Sequence, residues 1–290
     1  MGLFSWKEMP TAVLAGGGVI APDESLPWKE TGLMGIQHVI AMFGSTVLAP
    51  ILMGFDPNLA VLMSSIGTLI FFLVTGGKVP SYLGSSFAFI GVVVPATAYA
   101  GKGPNPNIGV ALGGIIACGA VYVAIGVIVH AIGTGWIERF MPPVVTGAVV
   151  AVIGLNLAGI PVKNMAANNF ESWMQALTFL CVAGVAVFTK GMVQRLLIVV
   201  GLLIATVLYA LLTNGMGLGK PFDVSGIAAA PWIGLPQFHA PVFSGAAMVL
   251  IVPVVIILVA ENLGHLKAVT AMTGKDLDHY LGRAFIGDGI

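Results

Sequence analysis

The sequence predicts an all-α integral membrane protein with about eight transmembrane segments. Three observations predict this class: the composition, the length of the apolar runs and the placement of the basic residues. Of the 290 residues, 58% are hydrophobic and only 8% are charged, whereas soluble domains carry roughly 25% charged residues. A soluble protein of this size has no core that could bury so much apolar surface. The composition therefore fits a lipid environment.

The apolar runs indicate the number of segments. A helix that spans a bilayer needs about 20 predominantly apolar residues, and the chain has eight runs of this kind. They cover residues 31–53, 59–75, 79–100, 108–130, 144–160, 173–189, 196–213 and 245–266. Pro253 is predicted to bend the last of them. The longer connection 214–244 is predicted to lie on the extracytoplasmic side.

The basic residues indicate the orientation, because Lys and Arg are concentrated on the cytoplasmic side of membrane proteins. If residues 1–30 form a cytoplasmic segment and all eight runs span, nine basic residues lie in the cytoplasm and three on the far side. Residues 1–30 contain no short apolar region followed by a cleavage site. The first run is therefore predicted to be a retained helix, with the N-terminus in the cytoplasm.

The third run has an unusual composition for a transmembrane helix. Pro80 and Pro95 lie near its ends, residues 84–86 are Gly-Ser-Ser, and residues 92–94 are three valines. β-Branched residues favour extended backbone, and irregular backbone at membrane depth is tolerated only inside protein or beside a cavity. The run is therefore predicted to be broken and to line a binding site. The alternative is an ordinary helix that is kinked at Pro95.

Few ionisable side chains lie within the apolar runs. Apart from His130 at the end of the fourth run, they are His38, Glu261 and His265. A charge at membrane depth costs at least about 2.5 kcal/mol, which indicates a function. Glu261 and His265 are four residues apart and share one helix face. On that face a carboxylate can accept N–H groups and an imidazole can exchange protons near neutral pH. A planar ring with adjacent N–H and C=O groups would fit such a face.

Structural explanations remain open for the same residues. Glu261 lies six residues before Lys267 and could reach cytoplasmic water instead of a ligand. His265 lies closer still to that boundary. His38 follows Gln37, and this pair is predicted to hydrogen-bond a neighbouring helix rather than a ligand.

The sequence argues against several other chemistries. The formal net charge is zero, so no nucleic-acid partner is predicted. No phosphate-binding Gly-rich loop with Lys-Ser/Thr occurs, which argues against ATP-driven transport. Cys118 and Cys181 lack metal-ligand spacing and are interpreted as small buried side chains. No metal site and no catalytic residue are predicted. An intramembrane metalloenzyme using Glu261, His265 and His38 is an alternative from a different class.

Four stretches carry a resemblance to a known family. They read QHVIAMFGSTVLAP at 37–50, KVPSYLGSSFAF at 78–89, GTGWIERFMPPVVTG at 133–147 and ILVAENLGHL at 257–266. With them the chain resembles the nucleobase–ascorbate transporters, also called nucleobase:cation symporter 2, from about residue 20 onward. Within that family it is most similar to uracil and pyrimidine permeases, in particular those of the Rut type.

The resemblance implies a fold of two inverted repeats of seven helices, arranged as a core domain and a gate domain. Residues 31–130 would form core helices 1–4, residues 131–213 gate helices 5–7, and residues 245–290 core helix 8 and the start of helix 9. The third segment would contain a short strand. Most of the second repeat would then be missing, so a C-terminally truncated chain that cannot transport alone is expected.

The resemblance also implies which residues bind substrate. Glu261 would be the carboxylate that binds the base, with His265 beside it. The backbone of Phe87 would meet the base from the third segment, and Ser86 and Ser45 would border the site.

The function that the resemblance implies is proton-coupled import of uracil or a related pyrimidine across a bacterial-type cytoplasmic membrane. The proton would be the coupling ion, no cofactor is expected, and the protein would not be an enzyme. Gln37, His38, Glu261 and His265 are expected in proton coupling or in hydrogen bonds between helices. The resemblance suggests a homodimer. Open alternatives are a carrier of purines or another planar heterocycle, and a non-transporting membrane fragment.

Overall fold

The computed structural model describes residues 6–10, 13, 18–163, 169–222, 224–231 and 234–290. The chain divides into two compact units. The first unit consists of Met1–Met34, Ser45–Asn156 and Gln237–Ile290, and the second consists of Gly35–Gly44 and Leu157–Pro236. Both units are predominantly helical.

The described chain contains both short and long helices. It begins with strands β1 (Lys7–Glu8) and β2 (Glu24–Ser25), α1 (Trp28–Ala41), a π-helical turn (Gly44–Leu48), α2 (Ala49–Met53) and α3 (Pro57–Thr75). A 3₁₀ turn (Phe87–Phe89), α4 (Ile90–Ala96), α5 (Ile108–Ile132), α6 (Gly135–Phe140), α7 (Pro143–Lys163) and α8 (Asn169–Phe188) follow. Next come α9 (Met192–Arg195), α10 (Leu197–Ala210), a second π-helical turn (Leu211–Gly215) and α11 (Ser225–Ala229). The last elements are α12 (Gly245–Ile251), α13 (Val254–Thr273), a 3₁₀ turn (Asp278–Tyr280) and α14 (Leu281–Gly289).

Several of these helices are long and apolar enough to cross a membrane. Among the described residues they are Pro57–Thr75, Ile108–Ile132, Asn169–Phe188, Leu197–Gly215 and Gly245–Thr273, which makes five. Trp28–Ala41 and Gly44–Met53, bent by 41° at their junction, give a sixth span if they are counted together. The third and fifth predicted runs contain shorter apolar helices, Phe87–Ala96 and Gly147–Gly159. A multi-pass membrane protein is thus supported, whereas the count of eight spans stays a prediction.

Helix α3 begins and ends at residues suited to helix termini. The Asp56 carboxylate accepts a hydrogen bond from the Asn58 N–H at 2.9 Å and caps the first turn. The helix ends at Gly76, whose φ of 67° is left-handed and is readily adopted by glycine. Beyond it, Trp6 donates its indole N–H to the Gly77 carbonyl at 3.1 Å. This bond attaches the N-terminal strand pair to the end of α3.

The third predicted segment is broken, but it does not contain the expected strand. Residues 80–86 have no regular secondary structure, and the Leu83 N–H donates to the Thr68 hydroxyl at 3.1 Å instead of to a strand. The expectation of extended backbone at residues 92–94 is also wrong, because they lie inside α4. Val93 is fully buried there. Packing overrides β-propensity, which depends strongly on surroundings.

Helix α5 forms the centre of the first unit, and α14 packs closely against it. A Cβ atom added to Gly126 would lie 2.7 Å from the Ile286 backbone nitrogen, and one added to Gly289 would lie 2.8 Å from the Val123 nitrogen. Such distances leave no space for a larger side chain. Small residues allow helix backbones to approach in this way in membrane proteins.

The residues that lead into α12 run along the other end of α5. The Val242 N–H donates to the Gly109 carbonyl at 2.7 Å, and a Cβ atom added to Gly113 would overlap the Val242 carbonyl oxygen. The path then continues through α12 and is interrupted at Val252 and Pro253 before α13 begins. The helix is thus interrupted at Pro253, where a bend is predicted, and the bend itself stays a prediction. The interruption places α13 as a separate segment of the last span.

The second unit is built on the contact between α8 and α10. A Cβ atom added to Gly201 of α10 would lie 2.6 Å from the Val182 Cα of α8. At one end of this pair the Tyr209 ring packs against Phe170 and Phe222, with centroids 6.2 Å and 6.4 Å away. The second unit is thus an apolar helix pair with an aromatic cluster at its end.

Candidate functional site

Glu261 and Ser86, two of the predicted site residues, are in direct contact. The Ser86 hydroxyl donates to Oε2 of Glu261 at 3.1 Å. Glu261 lies in α13, and Ser86 is the last residue of the irregular stretch 80–86. Both side chains are half-buried in the first unit. The fold thus joins the broken third segment to the one acidic residue that the sequence places within an apolar run.

A second hydrogen bond fixes the direction of the Ser86 hydroxyl. Ser86 caps the 3₁₀ turn Phe87–Phe89, and its Oγ accepts the Ala88 N–H at 3.2 Å. A side-chain oxygen that accepts a backbone N–H in this way is a common helix cap. Because the oxygen accepts from Ala88, its proton is directed to Glu261. The carboxylate therefore meets a donor whose position the local backbone determines.

Phe87 lies next to this contact and starts the 3₁₀ turn. Its carbonyl accepts the Ile90 N–H. Its own N–H has no acceptor within the turn, because the carbonyls that would accept the first amides of a helix lie before the helix begins. The Phe87 side chain is half-buried. The turn thus offers a backbone donor one residue from the serine that contacts Glu261.

The other predicted residues of the first unit lie farther along their elements. His265 is one turn beyond Glu261 on α13, and it is exposed, whereas Glu261 is half-buried. Ser45 lies in the π-helical turn Gly44–Leu48 and is half-buried. The roles expected for His265 and Ser45 stay predictions.

Gln37 and His38 lie in α1 within the second unit. His38 is exposed. The Gln37 Oε1 atom is buried and accepts no hydrogen bond from the described residues. The predicted helix–helix hydrogen bonding of this pair stays a prediction.

A partly buried polar network adjoins the site, and sequence reasoning did not find it. Asn262, which follows Glu261, donates from Nδ2 to the Tyr122 hydroxyl at 2.6 Å and to the Asp288 carboxylate. The Tyr122 hydroxyl in turn donates to the Leu258 carbonyl at 3.3 Å. The network joins α5, α13 and α14 next to the Ser86–Glu261 contact.

The sequence carries only weak signals for this network. Asn262 is a polar residue in the middle of an apolar helix and directly follows the predicted binding residue, so it could have been noted. Tyr122 has the pattern of an ordinary core aromatic. Asp288 lies next to glycines near residue 290, where a loop or helix start is a natural interpretation. Only the packing of α14 on α5 shows that these residues meet.

The C-terminal half of α13 carries ion pairs. Lys267 lies 2.8 Å from the Glu138 carboxylate and 2.6 Å from that of Asp278. All three side chains are at least one-third exposed, so each pair contributes little to stability. Lys267 is thus engaged with α6 and the turn before α14, two turns of helix away from Glu261.

The arrangement favours binding of a small planar ligand. A half-buried carboxylate presents an acceptor, and the adjoining turn presents a hydroxyl and a backbone N–H. These groups match a ring edge with neighbouring N–H and C=O groups. Among the described residues, no group of three or more His, Cys, Asp or Glu side chains could hold a metal ion.

Comparisons with known proteins agree with the resemblance carried by the four stretches. The family model described as "Permease family" matches residues 29–290. A protein of Escherichia coli (strain K12) that carries the name pyrimidine permease RutG is 64% identical over 273 residues, which cover 94% of this chain and 62% of the relative.

Uracil permeases are more distant relatives. The uracil permease of Paenibacillus larvae is 36% identical over 284 residues, which cover 94% of this chain and 65% of the relative. The uracil permease of Escherichia coli (strain K12) is 34% identical over 281 residues, which cover 93% and 62%. The chain thus spans less than two-thirds of the length of these relatives. By the family match and these identities, the chain belongs to the nucleobase permease family.

Proposed function

We propose that this chain, when a second repeat follows it, carries uracil or a related pyrimidine across the cytoplasmic membrane together with protons, and that Glu261 binds the base. The observation that carries this proposal is the contact between Glu261 and Ser86, which joins an intramembrane carboxylate to a broken segment. Such segments often form transport sites because their backbone groups face the substrate. The names of the relatives, pyrimidine permease and uracil permease, support the choice of substrate class.

The ring edge of uracil has alternating N–H and C=O groups that suit this site. Glu261 accepts ring N–H groups, since an ionised carboxylate has only acceptors. The Phe87 N–H donates to a ring carbonyl, and Ser86 and Ser45 border the ring. Hydrogen bonds to a charged partner are the stronger ones, worth about 1.5–3 kcal/mol each. Glu261 therefore supplies most of the affinity.

The same carboxylate couples binding to protons in this proposal. Glu261 can gain a proton and then loses part of its capacity to accept, so its protonation and its contact with the base are linked. His265, exposed one turn away on α13, supplies or removes that proton. Gln37 and His38 contribute to proton coupling or to contacts between helices.

The wider architecture belongs to the proposal as well. Eight spans of a core and a gate domain, an N-terminus in the cytoplasm and a homodimer are proposed on the resemblance and on the nine-to-three distribution of basic residues. Since the chain spans 62% of its Escherichia coli relative, we also propose that residues 1–290 do not transport by themselves. Alternating access requires two repeats that move around the site.

The test is uptake of labelled uracil by cells that lack their own uracil carrier, under an imposed pH gradient. Two forms are compared: residues 1–290, and an extended chain in which they are followed by the part of the Escherichia coli relative that lies beyond its match. We expect uptake only by the extended chain, increased by an inward proton gradient and reduced by unlabelled uracil. Uptake of labelled xanthine but not of labelled uracil by the extended chain would point to a purine carrier. Uptake by residues 1–290 alone would refute the need for the second repeat.

A further inference from the structure

One side chain of α5, that of Tyr122, makes two hydrogen bonds to helix α13. The Tyr122 hydroxyl accepts a hydrogen bond from the Asn262 amide at 2.6 Å and donates one to the Leu258 carbonyl at 3.3 Å. In a helix the carbonyl of Leu258 points toward residue 262, so both bonds reach α13 at the same level and end on one hydroxyl oxygen. A backbone atom and a side chain of α13 are therefore both held towards Tyr122. Together they favour one rotation of α13 about its axis.

The rotation of α13 about its own axis determines both which residues face Tyr122 and which face Ser86. Glu261 directly precedes Asn262, so their side chains diverge by about 100° around the helix. When the Asn262 amide is held against α5, the Glu261 carboxylate is directed to the Ser86 hydroxyl, where it lies 3.1 Å away. A rotation of α13 that broke the first contact would also move the second.

Tyr122 is a rigid anchor for these contacts. Its side chain is only 1% exposed, and its ring packs against Phe285 with centroids 5.2 Å apart. Phe285 belongs to α14, which approaches α5 closely at Gly126. The hydroxyl therefore has a fixed position from which to hold α13.

The Asn262 amide uses both of its N–H groups. One is donated to Tyr122 and the other to the Asp288 carboxylate. A partly buried network whose donors are all satisfied stabilises one arrangement over the alternatives, because a shift leaves a polar group without its partner. Asn262 is thus held between α5 and α14.

We propose that Tyr122 and Asn262 are positioning residues for substrate binding, which hold α13 in the rotation that presents Glu261 to the nucleobase. Tyr122 acts through its two hydrogen bonds to α13, one to the Leu258 carbonyl and one from the Asn262 amide. The substrate side of this inference rests on the proposed function, because it requires that Glu261 binds the base. The rotation of α13 itself does not depend on that function.

The first test compares two tyrosines that make the same kind of bond in different places. Tyr122→Phe removes the hydroxyl and keeps the ring. Tyr99→Phe is the matched control, because Tyr99 is also buried and also donates to a backbone carbonyl, but that carbonyl belongs to Gly103 and not to α13. In the extended chain, and per molecule of folded protein in the membrane, we expect Tyr122→Phe to raise the KM for uracil about tenfold, a loss of about 1.4 kcal/mol of binding. Tyr99→Phe should leave KM unchanged.

The second test measures the position of Glu261 without any substrate. Cysteines replace Ser86 and Glu261 in a background of Cys118→Ala and Cys181→Ala, and a short bifunctional thiol reagent joins them in membranes. We expect Tyr122→Phe to slow cross-linking severalfold and Tyr99→Phe to leave it unchanged. Equal cross-linking in the two variants would overturn the positioning role.

The two tests together separate the inference from the proposed function. Slower cross-linking in Tyr122→Phe with no uracil transport by the parent would refute uracil transport and retain the control of α13. Slower cross-linking with an unchanged KM would show that the rotation of α13 has no effect on substrate binding, which contradicts the inference.

Discussion

The packing of α5 in the first unit and the α8–α10 pair of the second unit both depend on glycine, but their polar atoms lie in different places. In the first unit, Tyr122 and Asn262 form hydrogen bonds in the middle of apolar helices. In the second unit, the Tyr209 hydroxyl lies 3.3 Å from Glu171 and 3.2 Å from the Lys220 carbonyl, at the end of α10.

This difference indicates which part of the chain carries the chemistry. Polar groups inside membrane helices are expensive and are usually retained for a function. Polar groups at helix ends can reach water or headgroups and need no such explanation. The first unit is therefore interpreted as the functional part, and the α8–α10 pair as a scaffold.

The largest expected effect is that of Glu261→Gln in the extended chain. The amide keeps the size but loses the charge and one acceptor, so the affinity for uracil should fall about 100-fold, or about 2.7 kcal/mol. Equilibrium binding of labelled uracil to purified protein measures it. Glu171→Gln in the second unit is the matched control and should bind like the parent. Parental affinity in Glu261→Gln would contradict the assigned role.

A smaller effect is expected from filling the close contact between α5 and α14. Gly126→Ala places a methyl group 2.7 Å from the Ile286 nitrogen and 3.0 Å from the Gly282 carbonyl oxygen. Backbone atoms cannot move away easily, so the free energy of unfolding should fall by about 1–3 kcal/mol. Thermal unfolding in detergent measures the change.

The control for that change lies in the second unit. Gly184 of α8 has no atom within 4 Å of an added Cβ. Gly184→Ala should therefore leave stability unchanged or raise it by up to about 1 kcal/mol, through helix propensity. Equal destabilisation by both alanines would mean that the contact at Gly126 is not tight.

The smallest effect is expected for Tyr209→Phe. Its hydroxyl bonds are long and lie at a helix end, and the ring contacts with Phe170 and Phe222 are kept. The change should alter the free energy of unfolding by no more than about 0.5 kcal/mol. Uracil KM and thermal unfolding are the measurements. A KM change as large as that of Tyr122→Phe would contradict the interpretation of the α8–α10 pair as a scaffold.

Most helices are predictable because their apolar runs are long, and their ends carry residues such as Asp56 and Gly76. The irregularity of the third segment is predictable for a sound reason, the prolines and the Gly-Ser-Ser run at 84–86. The prediction of a strand there is wrong, because the conformational preference of a residue does not determine which acceptor its backbone N–H will bond. In the fold, that neighbour is the Thr68 hydroxyl.

The candidate site is predictable only in part. Glu261 is predictable because a carboxylate in an apolar membrane helix is unfavourable in free energy and so indicates a function. Ser86 is predictable only from the resemblance. Tyr122 and Asn262 are 140 residues apart in the sequence, and nothing local to either predicts their contact. Such pairs become visible only when the helices are packed.

The Ser86 hydroxyl also determines how the Glu261 carboxylate is hydrogen-bonded before substrate binds. A half-buried carboxylate without a donor would be unfavourable, and Ser86 supplies that donor in the structure. If Glu261 binds a base as proposed, an N–H group of the base takes the place that the Ser86 hydroxyl holds in the structure. Binding is then an exchange of one donor for another, so the net gain is smaller than the strength of the new hydrogen bond. Under the proposed function, this exchange would make release of the base easier.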